Sequence, residues 1–188
     1  MPARAHTQVR PYKSVTEVIP MTKLPYEFYH RPCLDVARDL VGKVLVHGDL
    51  RLRITETEAY CGESDTACHA HKGRTGRTEV MYGRAGTAYI YLCYGIHWML
   101  NVVTDEVDIP CAVLIRACAE APGPGRLTKA LGITGELNRT DITESEALWI
   151  EDDGCVCAVE TARRVGIGYA GEEDQARLWR YIMKNADG

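Results

Sequence analysis

The sequence has no apolar run approaching the ~20 residues needed to cross a bilayer, and no apolar signal core ahead of a small-residue cleavage site. Membrane-spanning and exported proteins are therefore not the expected classes. Nor does it contain a Cys-x-x-Cys pair, since its eight cysteines stand at 33, 61, 68, 93, 111, 118, 155 and 157. That scatter argues against common zinc ligand sets and for a reducing, intracellular setting in which thiols serve as small core residues. The expected location is the cytoplasm in a bacterium, or a nucleus or organelle in a eukaryote. No internal repeat and no low-complexity linker interrupts the 188 residues, which suit one core. Positive charge is not in excess either: the net charge is -4, which speaks mildly against a polyphosphate partner. Lys72, Arg74, Arg77 and Arg84 nevertheless form a basic run apart from the acid clusters at 141–153 and 172–174. One face can thus be basic, although the plain reading of such a run is a solvated loop.

Residues 1–24 are polar, carry Arg4, Arg10 and Lys13 before the first acid at Glu17, and read as a mobile tail ahead of one domain at 25–188. Pro32 to Val41 is a predicted helix, with Leu34, Ala37, Leu40 and Val41 on one side and Gly42 as its stop. Lys43 to His47 and Leu50 to Tyr60 flank Gly48-Asp49 and form a predicted hairpin. A second hairpin is predicted for Thr87 to Cys93 and Ile96 to Thr104 around Tyr94-Gly95. Ala112 to Ala117 reads as a strand, Leu127 to Leu131 as a short helix closed by Gly132, and Thr143-x-x-Glu146 as a capping box. Leu148 to Glu151 and Cys155 to Val159 read as strands, and the C-terminal end as helical or extended. The sum is an α+β domain, mainly an antiparallel curved sheet with surrounding helices and a protruding hairpin.

Chemistry concentrates where these patterns are broken. A side-chain period of two puts Leu52, Ile54, Glu56, Glu58 and Tyr60 on one face, so apolar residues open that face and carboxylates close it. If Leu52 and Ile54 enter the core, Glu56 and Glu58 follow them; burial and mutual repulsion then raise a carboxyl pKa towards the range useful for proton transfer. A solvated strand end is the alternative. Cys61, Cys68, His69 and His71 raise the question of zinc or of a thiol nucleophile, but Cys61-x6-Cys68 matches no common ligand spacing. Tyr89 and Trp98 suit cross-strand packing, whereas Tyr94, beside the turn glycine, has little core to enter and suits a wedge. Asn101 in an apolar run and Arg116 at the end of one are further anomalies.

The strings ITETEAYCGESDTACH, GTAYIYLCYGIHWMLNV, AVLIRA, GPGRLTKALGI and RRVGIGYAGE together resemble, in order and spacing, the alkyladenine (3-methyladenine) DNA glycosylase family, over about Leu34 to Trp179. The resemblance implies a monofunctional hydrolase that flips an alkylated or deaminated purine out of duplex DNA and cuts its glycosidic bond, with neither cofactor nor metal. It implies that Glu58 activates the attacking water and that Arg116 helps hold it. Tyr60, His69 and Tyr91 would wall the base pocket, Asn101 would crowd normal guanine, and Tyr94 would fill the gap in the duplex. The RVGIG segment would lend backbone groups to the site. A role for Glu56 does not follow. The expected partner is double-stranded DNA with damaged purines, met by a monomer away from membranes. Two rivals remain: a zinc or thiol hydrolase, and a nucleic-acid-binding module without catalysis.

Overall fold

The structure is a computed structural model and describes residues 21–184. Its spine is β3, Leu50–Cys61, a 12-residue strand long enough to serve two parts of one sheet. The first part of β3 pairs with β2, Val44–His47, through a two-residue turn that sets His47 opposite Leu50. The second part pairs with β6, Cys111–Cys118, and, along Glu56 to Glu58, with β9, Arg180–Met183. The main path through the sheet runs β1-β7-β2-β3-β6-β5-β4, where β1 is Thr22–Lys23, β7 is Leu148–Asp152, β5 is His97–Thr104 and β4 is Ala88–Cys93. The short β8, Val159–Ala162, pairs with β9 at the side. Every strand pair is antiparallel.

Among the described residues four α-helices lie around this sheet: α1 (Tyr26–Tyr29), α2 (Cys33–Leu40), α3 (Pro124–Leu131) and α4 (Glu172–Ala176). In α2 the buried residues are Cys33, Val36, Ala37 and Leu40, spaced i, i+3, i+4, i+7 as an inward stripe requires. That stripe is rotated from the expected one, since Leu34 is only partly buried. Gly42, at φ +92°, ends the segment in a conformation that favours glycine. Helix α3 begins a turn earlier than expected because Pro124 fits the first position of a helix, and Gly132 closes it in the left-handed region. The central core joins α2 and α3 to the sheet through Leu40, Ile54, Val113, Ile115, Leu127 and Leu131.

Three local expectations are corrected. Thr143 caps no helix: its N–H and hydroxyl both donate to Asp141 Oδ1, at 2.9 and 2.6 Å, in a side-chain-closed turn. Residues 155–158 are not a strand, because Asp153 draws back the N–H of Cys155 while also binding Arg53, and β8 starts only at Val159. The polar N-terminal segment does not stay separate up to Leu24: Thr22 and Lys23 pair with Asp152 and Glu151, and Leu24 is buried. Its residues 1–20 lie outside the described part. The C-terminal end is both helical and extended, as α4 and β9.

Candidate active site

Glu58 reaches the site by a route that a simple alternation misses. The β3–β6 register is irregular between Ile54 and Thr57, opposite Arg116 and Ala117. Side-chain phase changes across that irregularity. Ile54 packs in the central core, and so do Ala59 beyond it and its partner Val113, while Thr57 donates its hydroxyl to Ala37 O in α2 at 2.6 Å. Glu58 and Tyr60 therefore point to the opposite face of the sheet from Ile54, away from α2. The sequence-based inference of a buried Glu58 holds, but its premise, a shared face with Leu52 and Ile54, does not.

Glu58 has no exposed side-chain surface. Its Oε1 accepts the backbone N–H of Val165 at 2.8 Å and lies 3.4 Å from Arg116 Nε, while Oε2 accepts the Tyr60 hydroxyl at 2.9 Å. Burial raises the Glu58 pKa above the ordinary glutamate range; Arg116, the Val165 N–H and Tyr60 oppose that rise, and Glu56 adds to it. Glu56 itself sits between two cations, 2.8 Å from Arg116 Nε and 2.9 Å from Arg180. It is thus the less buried acid of the pair and is charge-compensated. The Tyr60 phenol is pushed up by burial and by Glu58, so at neutral pH it is a proton donor to the carboxylate.

The Tyr60 ring leads into a pocket on the same face, whose lining includes His69, Tyr89, Tyr91, Asn101 and Tyr169. His69 stands edge-on to Tyr91, with ring centres 4.6 Å apart, and its Nδ1 is 2.9 Å from the Tyr89 hydroxyl. Burial, with Arg77 nearby, lowers its pKa to about 4, so the imidazole is neutral at physiological pH. Asn101 is buried and donates its amide to Tyr89 O at 3.1 Å, which supplies the partner that a buried amide needs. The pocket is thus walled by flat, uncharged rings, and Glu58 lies behind one of them.

Tyr94 is elsewhere by design of the hairpin. Strands β4 and β5 meet at a turn in which Ile96 N–H donates to Cys93 O, with Tyr94 at φ +50° and Gly95 at φ +70°. A tyrosine there is strained, and its side chain is 91% exposed, with Ile96 also projecting. Trp98 behaves otherwise: it packs so closely on Gly135 that a Cβ there would lie 2.6 Å from its ring.

Several sequence-based candidates are not brought together. Cys68 has its thiol near Pro110 O, His69 binds Tyr89, and His71 binds Glu63 O, so the proposed thiol and imidazole cluster is divided among separate partners. Among the described residues no group of three His, Cys, Asp or Glu is arranged to hold a metal. In the basic run, Arg74 pairs with Asp108 and Arg84 with Asp141, whereas Arg77 lies over the Tyr91 ring at the pocket. Sequence reading also missed Asp65, Arg164 and Tyr169. All three lie inside the quoted strings, but nothing in one string announces a partner about a hundred residues away.

A desolvated carboxylate behind an aromatic slot is an arrangement that can seat a flat heterocycle beside an acidic side chain. Comparison with known proteins narrows this class. The methylpurine-DNA glycosylase family model matches residues 27–121 and 119–187, and the chain belongs to that family. It is 45% identical to a protein of Methanocella arvoryzae, with 88% of this chain and 94% of that one covered. It is 47% identical to one of Myxococcus xanthus, with 85% and 90% covered. Both relatives carry the name "Putative 3-methyladenine DNA glycosylase". Among the described residues no helix is long and apolar enough to cross a membrane.

Proposed function

We propose that this protein is a monofunctional DNA glycosylase that flips an alkylated or deaminated purine from the duplex and hydrolyses its bond to deoxyribose, opening base-excision repair. The observation that carries this reading is the placement of Glu58, sealed from solvent and accepting the hydroxyl of Tyr60, whose ring begins the pocket. Flipping costs a few kcal/mol and least where the damage has already weakened pairing. Tyr94, on its exposed turn, fills the space left in the stack. The base enters between Tyr60, His69 and Tyr91, where stacking contributes ~1–3 kcal/mol. A neutral His69 suits this role, because an alkylated purine carries positive charge that an imidazolium would repel.

Glu58 is the base that takes a proton from water as that water attacks the sugar carbon and the C–N bond breaks. A cationic alkylated purine leaves neutral with the bond's electron pair, a deaminated one takes up a proton from solvent, and the carboxylate's charge favours the developing oxocarbenium ion. Arg116, beside both acids, keeps Glu58 ionised and helps hold the water. Because Glu58 has no surface in the free protein, substrate entry has to admit that water. Asn101 on the pocket wall crowds the exocyclic amine of normal guanine. The protein acts as a monomer inside the cell, on double-stranded DNA. The test is incubation with alkylated duplex followed by hot alkali: the proposal expects strand breaks only after alkali, since abasic sites form in intact strands. Binding without alkali-labile product would leave a non-catalytic module, and loss of activity in EDTA would revive a metal hydrolase.

A further inference from the structure

Two segments distant in sequence build opposite sides of the pocket, and one ion pair with no exposed side-chain surface ties them together. Arg164 binds Asp65 through two bonds of 2.6 and 2.9 Å, and both side chains are fully buried. Asp65 also accepts the N–H groups of Cys61, at 3.1 Å, and Ala67, at 3.0 Å, and so shapes the turn that delivers His69 to the pocket. Arg164 donates to Ala59 O at 2.9 Å and lies over the rings of Tyr60 and Trp179. Its chain neighbour Val165 donates its backbone N–H to the Glu58 carboxylate. Five residues beyond Arg164, Tyr169 crosses back to bind Ala67 O at 2.9 Å.

Stability alone does not explain this arrangement. Removing two full charges from water costs about as much as their attraction returns, and packed apolar side chains would serve the fold as well. Arg164 also stands on the segment whose next N–H meets the Glu58 carboxylate.

We propose that Asp65 and Arg164 are positioning residues: their ion pair fixes residues 163–165 so that the Val165 N–H is held against Glu58 Oε1. This inference rests on the reading of Glu58 as the base. The groups facing Glu58 are Tyr60 and Glu56 on its own strand, Arg116 from β6, Val165 N–H from the loop after β8, and Arg180 from β9, which acts through Glu56. Of these, the ion pair places Val165 as its chain neighbour, and Arg164 also lies over the Tyr60 ring. The Val165 N–H stabilises the carboxylate, so losing it makes Glu58 easier to protonate. Activity that needs ionised Glu58 then begins to fail at a higher pH during acidification.

The test is single-turnover base release from lesion duplex by saturating enzyme across pH, for wild type, Val165→Pro, Asp65→Asn and Arg164→Lys. Val165→Pro removes one N–H at a half-exposed side chain, so it keeps the test open if the buried-charge variants fold poorly. The expected result is an acid limb displaced upward by about one pH unit in each folded variant, with rates near neutrality reduced about tenfold, and lesion binding by Val165→Pro within about threefold of wild type. Folded variants that melt earlier but keep the wild-type acid limb would reduce the pair to a structural role and overturn the inference. If wild type releases no base at all, the glycosylase reading itself fails; an active wild type with an unmoved limb in Val165→Pro sinks only the role of the pair.

Discussion

The inner wall of the pocket and the tip of the β4–β5 hairpin break the usual rules of folding in opposite ways. Glu58 is an acid with no exposed surface, held by Val165, Tyr60 and Arg116; Tyr94 is a large aromatic left 91% exposed on a backbone that tyrosine rarely adopts. The first position sacrifices solvation to fix one functional group in place. The second sacrifices burial and backbone comfort to project one ring. Under the function proposed above, chemistry demands the former and insertion into a base stack the latter, and the two regions would separate turnover from duplex engagement.

That separation can be broken or sharpened by substitution, and the largest effect belongs to the inner wall. Glu58→Gln is expected to lower single-turnover base release by roughly 10²-fold or more while lesion-duplex binding stays near wild type. Equal losses in both assays would erase the division. Tyr94→Ala should do the reverse, weakening lesion-duplex binding about tenfold, as removal of one stacking ring predicts, with release from single strands little changed. A uniform loss on single and double strands would refute the wedge.

Stability gives two smaller tests. The folded-state pKa of Glu58 is raised, so its ionised form destabilises the fold at pH values above that pKa, and the penalty disappears as pH falls through it. Glu58→Gln should therefore melt a few degrees higher than wild type at neutral pH, at roughly 2–4 °C per kcal/mol, and the gap should close on acidification. A variant that melts lower at neutral pH would mean that Arg116, still paired with Glu56, needs both acids. Tyr94→Gly relieves a positive φ and should stabilise the protein by about 0.5 kcal/mol in thermal melting, while losing duplex binding like the alanine variant. Destabilisation by glycine would show that the turn is not strained.

The hairpin was readable because its cause is local: Tyr94-Gly95 between two β-rich runs sets the turn, and exposure follows from the lack of anything beyond it. Glu58 was readable only in part. Alternation flagged two carboxylates closing a face that Leu52 and Ile54 open, but the irregularity near Glu56 reverses the phase, and pairing defects in two strands leave no mark in either one's composition. Thr143 failed as a capping signal because Asp141, two residues earlier, competes for the same N–H. The Asp65–Arg164 pair was invisible for a third reason, since its partners are 99 residues apart and each looks like an ordinary surface charge. Propensity and period thus locate the strands and the exposed hairpin tip, and only tertiary contact reveals what holds the acid.

The account depends on Glu58 being an ionised base in a dry setting, which its own titration measures directly. Carbon-13 observation of that carboxyl in the DNA-free protein should give a midpoint above the ordinary glutamate value of about 4.3, missing from Glu58→Gln and matching the wild-type acid limb of base release measured at subsaturating enzyme, where the profile reports the free protein. A midpoint at the ordinary value, or one unrelated to the kinetic limb, would contradict it.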